Sequence, residues 1–404
     1  MSANNQVLRS ISWRDLCPWL LLLKSFSLAV TPSMLLLGAV AVAVTPVGWS
    51  VADQVFLTET DRSDLFRSRQ VEFLGPQVPA TSRAIRQARV RLANTAAKIL
   101  TPFGNLEVRK MAYWTFGGLW SLLVAALLGG AISRKSVVAM GREESVGLGD
   151  ALRFSWRHLA SYLLAPIYPI VMLLLIWLAC AAVGLTMRLG IFTLLAGAFW
   201  FLLLIGGAAA AVLLTGLIVG WPLMWGAVSA EQDGEAFEAL SRSYSYVYGR
   251  PLHLVFYVGV ASLLGAAGQA VVRWFCGLTV AIATAGAQWG AARELTVAAK
   301  DDPWLFGAGR NLIQMQNHAV LSWVEQGFMF AFFWAAAAGI YLLLRANVDH
   351  TELDEVYVPD DSDALSLPSL KVDASGMVVV RETEAESPAP SEPDSSEQSP
   401  ADES

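Results

Sequence analysis

A chain of 404 residues that is 55% apolar and only 15% charged, with a mean hydropathy of +0.49, carries too little charge for an ordinary water-soluble protein. Its formal net charge of −6 is unevenly placed: from Ala346 onward 16 acidic residues face only Lys371 and Arg381, which leaves 26 basic against 18 acidic residues in the rest. The body is therefore basic, as suits either contact with anionic lipid headgroups or ordinary flanking charge, and a uniformly acidic protein is excluded.

A helix needs about 20 apolar residues to cross the hydrocarbon core, and six regions qualify. Residues 1–26 form an N-terminal interfacial segment, "WRDLCPWLLLLK", with Trp13 and Trp19 at headgroup level. The first span is expected over 27–48, as a retained anchor: Lys24 interrupts the early apolar run, and the run ending in "AVAVTPVGW" is too long and too late for a cleaved leader. An extracytoplasmic insert, 49–111, follows. Within it Ile85, Ala88, Leu92, Ala96 and Ile99 fall on one helical stripe, with Arg83, Arg86, Arg89, Arg91 and Lys98 around it. This basic amphipathic helix either meets lipid or a partner, or packs its stripe on the bundle.

The second span is expected over 112–132. Residues 133–230 hold an interfacial elbow, a third span carrying Pro166 and Pro169, and a fourth within Ile191–Ala230. No charge lies between Arg188 and Glu231, so that region has length for a hairpin. "LIGGAAAAV" offers no polar turn, however, and one long tilted helix entered through a short half-helix is expected instead. Residues 231–345 repeat the plan: an elbow, a fifth span within Leu252–Ala285, an insert, and a sixth span near Ala319–Leu344. The remainder, 346–404, is rich in Pro, Ser and acid, and disorder is expected from Ser362. Such a tail solubilises and spaces, or docks a basic partner.

The two elbows share a pattern. "DALRFSWRHLASYLLAP" and "EALSRSYSYVYGRP" align with an offset of 88 residues. Leu152 and Leu240 are followed after four positions by Trp156 and Tyr244, and after seven by Leu159 and Val247, one face of an amphipathic helix. Ser155 and Ser243 lie beside that face, where a small hydroxyl permits close approach and a hydrogen bond. Each copy then reaches a proline, Pro166 or Pro251. The segments read as helices lying in the interface, each turning the chain into a span from the same side, which makes a parallel internal repeat.

Orientation follows from Lys and Arg. Arg9, Arg14, Lys24, Arg134, Lys135, Arg142, Arg153, Arg157, Arg242, Arg250 and Arg345 lie on the side of the N-terminus; opposite them are Arg188, Arg293, Lys300 and Arg310. Both termini are thus expected in the cytoplasm, in a bacterial cytoplasmic membrane. The first insert, with ten basic residues, works against this, but its length approaches the limit beyond which loops cease to count.

Chemistry is harder to find. His158, His253, His318 and His350 lack metal-ligand spacing, and Cys17, Cys180 and Cys276 are isolated, so neither a metal site nor a disulfide framework is expected. Phosphate loops and nucleophile motifs are missing from the sequence, so no catalytic residue and no cofactor are assigned. Ionisable groups within apolar runs are costly and hence informative. Arg273 and Glu325 both map toward the far side of the bilayer, as an ion pair lining a cavity, as a structural pair, or as two separate groups reaching the outer headgroups.

The acid-Ala-Leu-x-x-Ser-aromatic elbow followed by a span resembles the membrane domain associated with glycerophosphodiester phosphodiesterases. "WPLMWGAVSAEQDGEAFEALSRSYSYVYGRPLHLVFYV" and "WRDLCPWLLLLKSFSLAV" are similar to uncharacterised polytopic bacterial membrane proteins of planctomycete type. The resemblance implies an architecture of elbows leading into spans, in keeping with the all-α bundle of about six spans with interfacial helices read from the apolar runs. It transfers no active site, because the enzyme-linked members keep their chemistry in a separate domain. The function expected is that of a non-catalytic integral membrane protein, a scaffold or accessory subunit. It would lie among membrane lipids, with a protein partner reached through the tail or first insert and no role for nucleic acid. The alternative is a transporter or lipid-handling permease working at the repeat interface.

Overall fold

Each long apolar run of the sequence becomes a helix in the computed structural model, which describes residues 17–57, 108–187, 190–231, 233–291, 303–358, 371–372 and 378–379. The basic helix expected over 83–99 and most of the acidic tail lie outside the described residues. A single 3-10 turn leads into α1 (Leu21–Ala29). Thr31, extended at φ −62° and ψ 142° because a proline follows, separates α1 from α2 (Pro32–Phe56). The first span therefore begins afresh at Pro32 and is not continuous from residue 27.

The remaining elements are α3 (Val108–Gly141, with a π turn at Ala125–Gly129), α4 (Leu148–Arg157), α5 (Leu159–Thr186), α6 (Gly190–Ala198), α7 (Trp200–Ala230), α8 (Ala236–Gly249) and α9 (Pro251–Ala291). Last come α10 (Pro303–Ala319) and α11 (Glu325–Val348), joined without a break through a π turn at Val320–Val324. Among the described residues six stretches are long and apolar enough to cross a membrane: α2, α3, α5, α7, α9 and the α10–α11 rod. The uncharged run after Arg188 resolves into the short α6 and the 31-residue α7. The fold is an all-α membrane bundle.

At its centre stands α11. Within the α10–α11 rod 83% of the most apolar window is buried inside the protein, against 6% for α7. The segment "WAAAAGIYLLL" explains this, being apolar on all sides and small along much of its length, so that neighbours approach from every direction. It packs against α1, α2, α3, α7 and α9. Gly38 of α2 meets Gly327 of α11 backbone to backbone, and a methyl group at either position would collide with main-chain atoms. Trp225 and Trp334 stack at 4.1 Å between ring centres where α7 crosses α11.

The α2–α3 contact is reciprocal. The Trp120 ring lies on Gly48 and the Trp49 ring on Gly117. Each indole also finds an acceptor, Trp49 donating to Ser121 Oγ at 2.9 Å and Trp120 to the Val44 carbonyl at 3.1 Å. A proline within α5 is handled in a similar way. Pro166 has no N–H to give the carbonyl four residues earlier, that of Tyr162, and the Trp225 indole supplies the missing donor at 2.9 Å.

The chain divides into two units, Met1–Tyr357 and Val358–Ser404. In the second, Lys371–Val372 pairs antiparallel with Val378–Val379. The first unit keeps residues assigned by composition to the tail. After α11 the chain folds back as a strap through Thr351–Tyr357, with Val356 buried against Gly141.

Candidate functional site

The elbows form as helices, α4 with Asp150 in its first turn and Arg157 in its last, which suits the helix dipole. The serines placed beside the apolar face are buried, and so is the alanine that precedes each leucine. Ala151 and Ser155, and at the equivalent positions Ala239 and Ser243, are fully or almost fully buried. Leu152 and Leu240 are only half-buried, and Trp156 is 67% exposed. Small residues mark the closest helix approaches, and in α8 the larger Tyr246 and Val247 are buried beside them.

The two serines then differ. Ser155 donates to the carbonyls of Ala126 and Leu127, at 2.9 and 2.8 Å, within the π turn of α3. A π turn displaces carbonyls from their usual helical partners, and this hydroxyl serves them. Ser243 instead lies close to Gly220 of α7, its hydroxyl buried without a hydrogen-bond partner. Tyr244 covers Gly216 and donates to the Leu213 carbonyl at 2.7 Å, and burial pushes its hydroxyl up to about 12. The prolines do not correspond either. In the first copy the chain turns at His158, eight residues before Pro166, whereas in the second it turns at Arg250, immediately before Pro251 opens α9.

Between the elbows lies a polar clasp that sequence reasoning assigned only to flanking charge. Arg134 of α3 is 2% exposed. It donates to the Ser229 carbonyl at 2.6 Å and to the Tyr357 carbonyl at 2.7 Å, and its guanidinium lies 4.3 Å above the Phe154 ring. Ser229 O is one of the last carbonyls of α7, which lack intrahelical donors, so a cation there completes the helix end. The Tyr357 N–H supplies the next carbonyl, Ala230 O, at 3.0 Å. Tyr162 OH and Ser229 Oγ, 2.7 Å apart, extend the network. Arg345 and Arg142 hold the strap through the carbonyls of Glu355 and Asp354. The available signal was the pattern "AISRKSVVAM", where Arg134 sits among Ser133, Ser136 and apolar residues and not in a polar loop.

A second set of charges joins α7 to α8. Arg242 pairs with Glu231 and with Glu238. Burial pushes the Glu231 carboxyl above its ordinary value; Arg242 pulls it down without cancelling that effect, and Glu238 adds to it. For Arg242, burial opposes the charge but is outweighed by the Glu238 hydrogen bond and by Glu231, so its pKa is held above the usual value. Tyr246 donates to Asp349 Oδ2, and burial raises its hydroxyl.

On the opposite end of the bundle the structure brings Arg273 and Glu325 together. Arg273 Nε lies 3.1 Å from both carboxylate oxygens, Nη2 also reaches Oε1, and Gln269 Nε2 donates to Oε1 at 2.7 Å. The positions follow from α9 and α11 packing side by side, with Glu325 opening α11 just past the π turn. Beside the pair is a cleft of about 580 Å³ lined by Arg273, Gln314, Asn317, Leu321, Ser322 and Glu325. Chemically it offers a guanidinium and carboxamides next to a carboxylate whose charge is matched, an arrangement suited to polar recognition.

Among the described residues no three His, Cys, Asp or Glu side chains gather closely enough to hold a metal ion. Comparison with family models, with curated proteins and with solved structures finds no match for this chain.

Proposed function

We propose that this integral membrane protein is a non-catalytic scaffold or accessory subunit of the bacterial cytoplasmic membrane, with both termini in the cytoplasm. The observation that carries this reading is the filled axis of the bundle. Helix α11 is enclosed by its neighbours, and the Trp225–Trp334 stack occupies the crossing where a central passage would run. The buried Arg134 and Ser155 are committed to backbone carbonyls, holding helices in fixed relation instead of facing a substrate. A partner would meet such a rigid body through the acidic tail or the first insert.

The test is a pull-down of the full chain with and without residues 362–404, combined with solute uptake in proteoliposomes. A partner lost with the tail supports the scaffold. Unchanged partners together with uptake overturn it in favour of the second reading, a transporter or lipid-handling permease, which the cleft beside Arg273 favours. The topology has its own check: with Ser145→Cys and Ser245→Cys, an impermeant thiol reagent must label both from the cytoplasmic compartment. Labelling from opposite compartments refutes the parallel elbows.

A further inference from the structure

The depth of the Arg273–Glu325 cleft and the groups it leaves unsatisfied point to a ligand. Arg273 lies 22 residues beyond Pro251, about 33 Å of helix, and Glu325 lies 23 residues before Val348, about 35 Å. Both distances start from the same level, because α8 ends immediately before Pro251 and Tyr246 of α8 bonds Asp349 just past α11. With the elbows in one interface and a hydrocarbon core about 30 Å thick, the pair falls in the headgroup layer of the opposite leaflet.

The donors there are in surplus. Glu325 receives Gln269 and two nitrogens of Arg273, whereas Arg273 Nη1 makes no hydrogen bond among the described residues and the side chain is 66% exposed. The carboxamides of Gln314 and Asn317 face the same cleft without protein partners among the described residues. One guanidinium N–H₂ and two amides are therefore free to meet acceptor oxygens, the geometry by which phosphate is held. The site is not a simple anion trap, since Glu325 cancels the charge of Arg273 and repels a free dianion. Among the described residues its Oε2 receives only Arg273 Nε, and it keeps a lone pair for a cation. Exposed apolar side chains of α9, Val271 and Trp274, adjoin Arg273. They provide a wall for acyl chains, with a tryptophan at headgroup level.

We propose that the cleft between α9 and the α10–α11 junction binds the headgroup of a zwitterionic phospholipid, its phosphodiester on Arg273 Nη1, Gln314 and Asn317 and its ammonium toward Glu325 Oε2. This inference is independent of the scaffold reading, since a resident lipid suits a scaffold and a permease equally.

The experiment uses the full chain, stripped of lipid in detergent, with dihexanoyl phosphatidylethanolamine as probe and binding followed by native mass spectrometry. Dihexanoyl phosphatidylglycerol, phosphoethanolamine and inorganic phosphate serve as competitors. Wild type binds the zwitterionic lipid, and Arg273→Gln and Asn317→Leu each weaken it about tenfold, a loss of about 1.4 kcal/mol. The three competitors are each at least about tenfold poorer than that probe. Asn317 lies outside the ion pair, so Asn317→Leu keeps the test valid even if Arg273→Gln fails to fold. Unaltered affinity in Asn317→Leu overturns the proposal. So does equal competition by inorganic phosphate, which would make the cleft an anion site, or by the anionic lipid, which would remove the role of Glu325.

Discussion

Replacing Arg134 by methionine tests the clasp that joins α3, α7 and the strap. Methionine keeps much of the unbranched length and removes both donors. The two lost hydrogen bonds, at 2.6 and 2.7 Å, are charge-assisted and worth roughly 1.5–3 kcal/mol each. The cation over Phe154, at 4.3 Å, adds about 1–2 kcal/mol when desolvated. Against these stands the cost of keeping a guanidinium out of water, several kcal/mol, which methionine avoids. The net loss expected is about 2–4 kcal/mol, of the order of leaving two buried carbonyls without donors. At about 2 °C per kcal/mol, the unfolding midpoint in detergent falls by about 4–8 °C. Limited proteolysis gives a second readout, because the strap at Thr351–Tyr357 loses its anchor and is cut before the bundle unfolds. Arg134→Lys keeps the charge but presents no fork, and should lie between the two. An unchanged midpoint in Arg134→Met, with the strap still protected, would refute the clasp as the element that closes this end of the protein.

Two further outcomes are expected. Trp225→Phe leaves the Tyr162 carbonyl without its donor and costs about 1–3 kcal/mol; with Pro166→Ala in the background the residue 166 N–H returns, and the cost should fall by about 1 kcal/mol or more. Equal costs in both backgrounds, measured by thermal unfolding, would show that the indole does not serve that carbonyl. The raised pKa of Glu231 fixes a pH dependence. Above the ordinary carboxylate value of about 4.3 the unfolded chain has released its proton while the folded protein still holds it, so stability falls as pH rises through the folded value. Unfolding midpoints of wild type should therefore decline over that window relative to Glu231→Gln, and parallel curves would contradict the buried setting of the carboxyl.

Much of the architecture was legible in the sequence because the bilayer asks a coarse question: runs of about 20 apolar residues answer it without reference to neighbours. What depends on neighbours was harder to read. The elbow repeat gave its elements and the small hydroxyls Ser155 and Ser243 as points of close approach, both of them buried, but it did not pick out Ala151 and Ala239, whose burial depends on what packs against them. Arg273 and Glu325 stood out as charges in apolar surroundings, and the structure brings them together. Arg134 was counted as a loop charge because it lies near the end of an apolar run. Its role depends on the C-terminus of α7, some 95 residues away, and on a strap 223 residues away. The return of Thr351–Tyr357 onto the bundle was hidden for the same reason, since its fixed points are backbone carbonyls that any sequence provides.

The enclosure of α11 has a consequence for biogenesis. The helix that five others surround is the last of the six spans to leave the ribosome, so the earlier ones enter the lipid before the pillar they lean on exists. Until then the faces that will meet it, Gly38 among them, have only acyl chains for company. Chains arrested ahead of Glu325 would keep contacts such as that between α2 and α3 but leave those faces open, natural targets for membrane quality-control proteases.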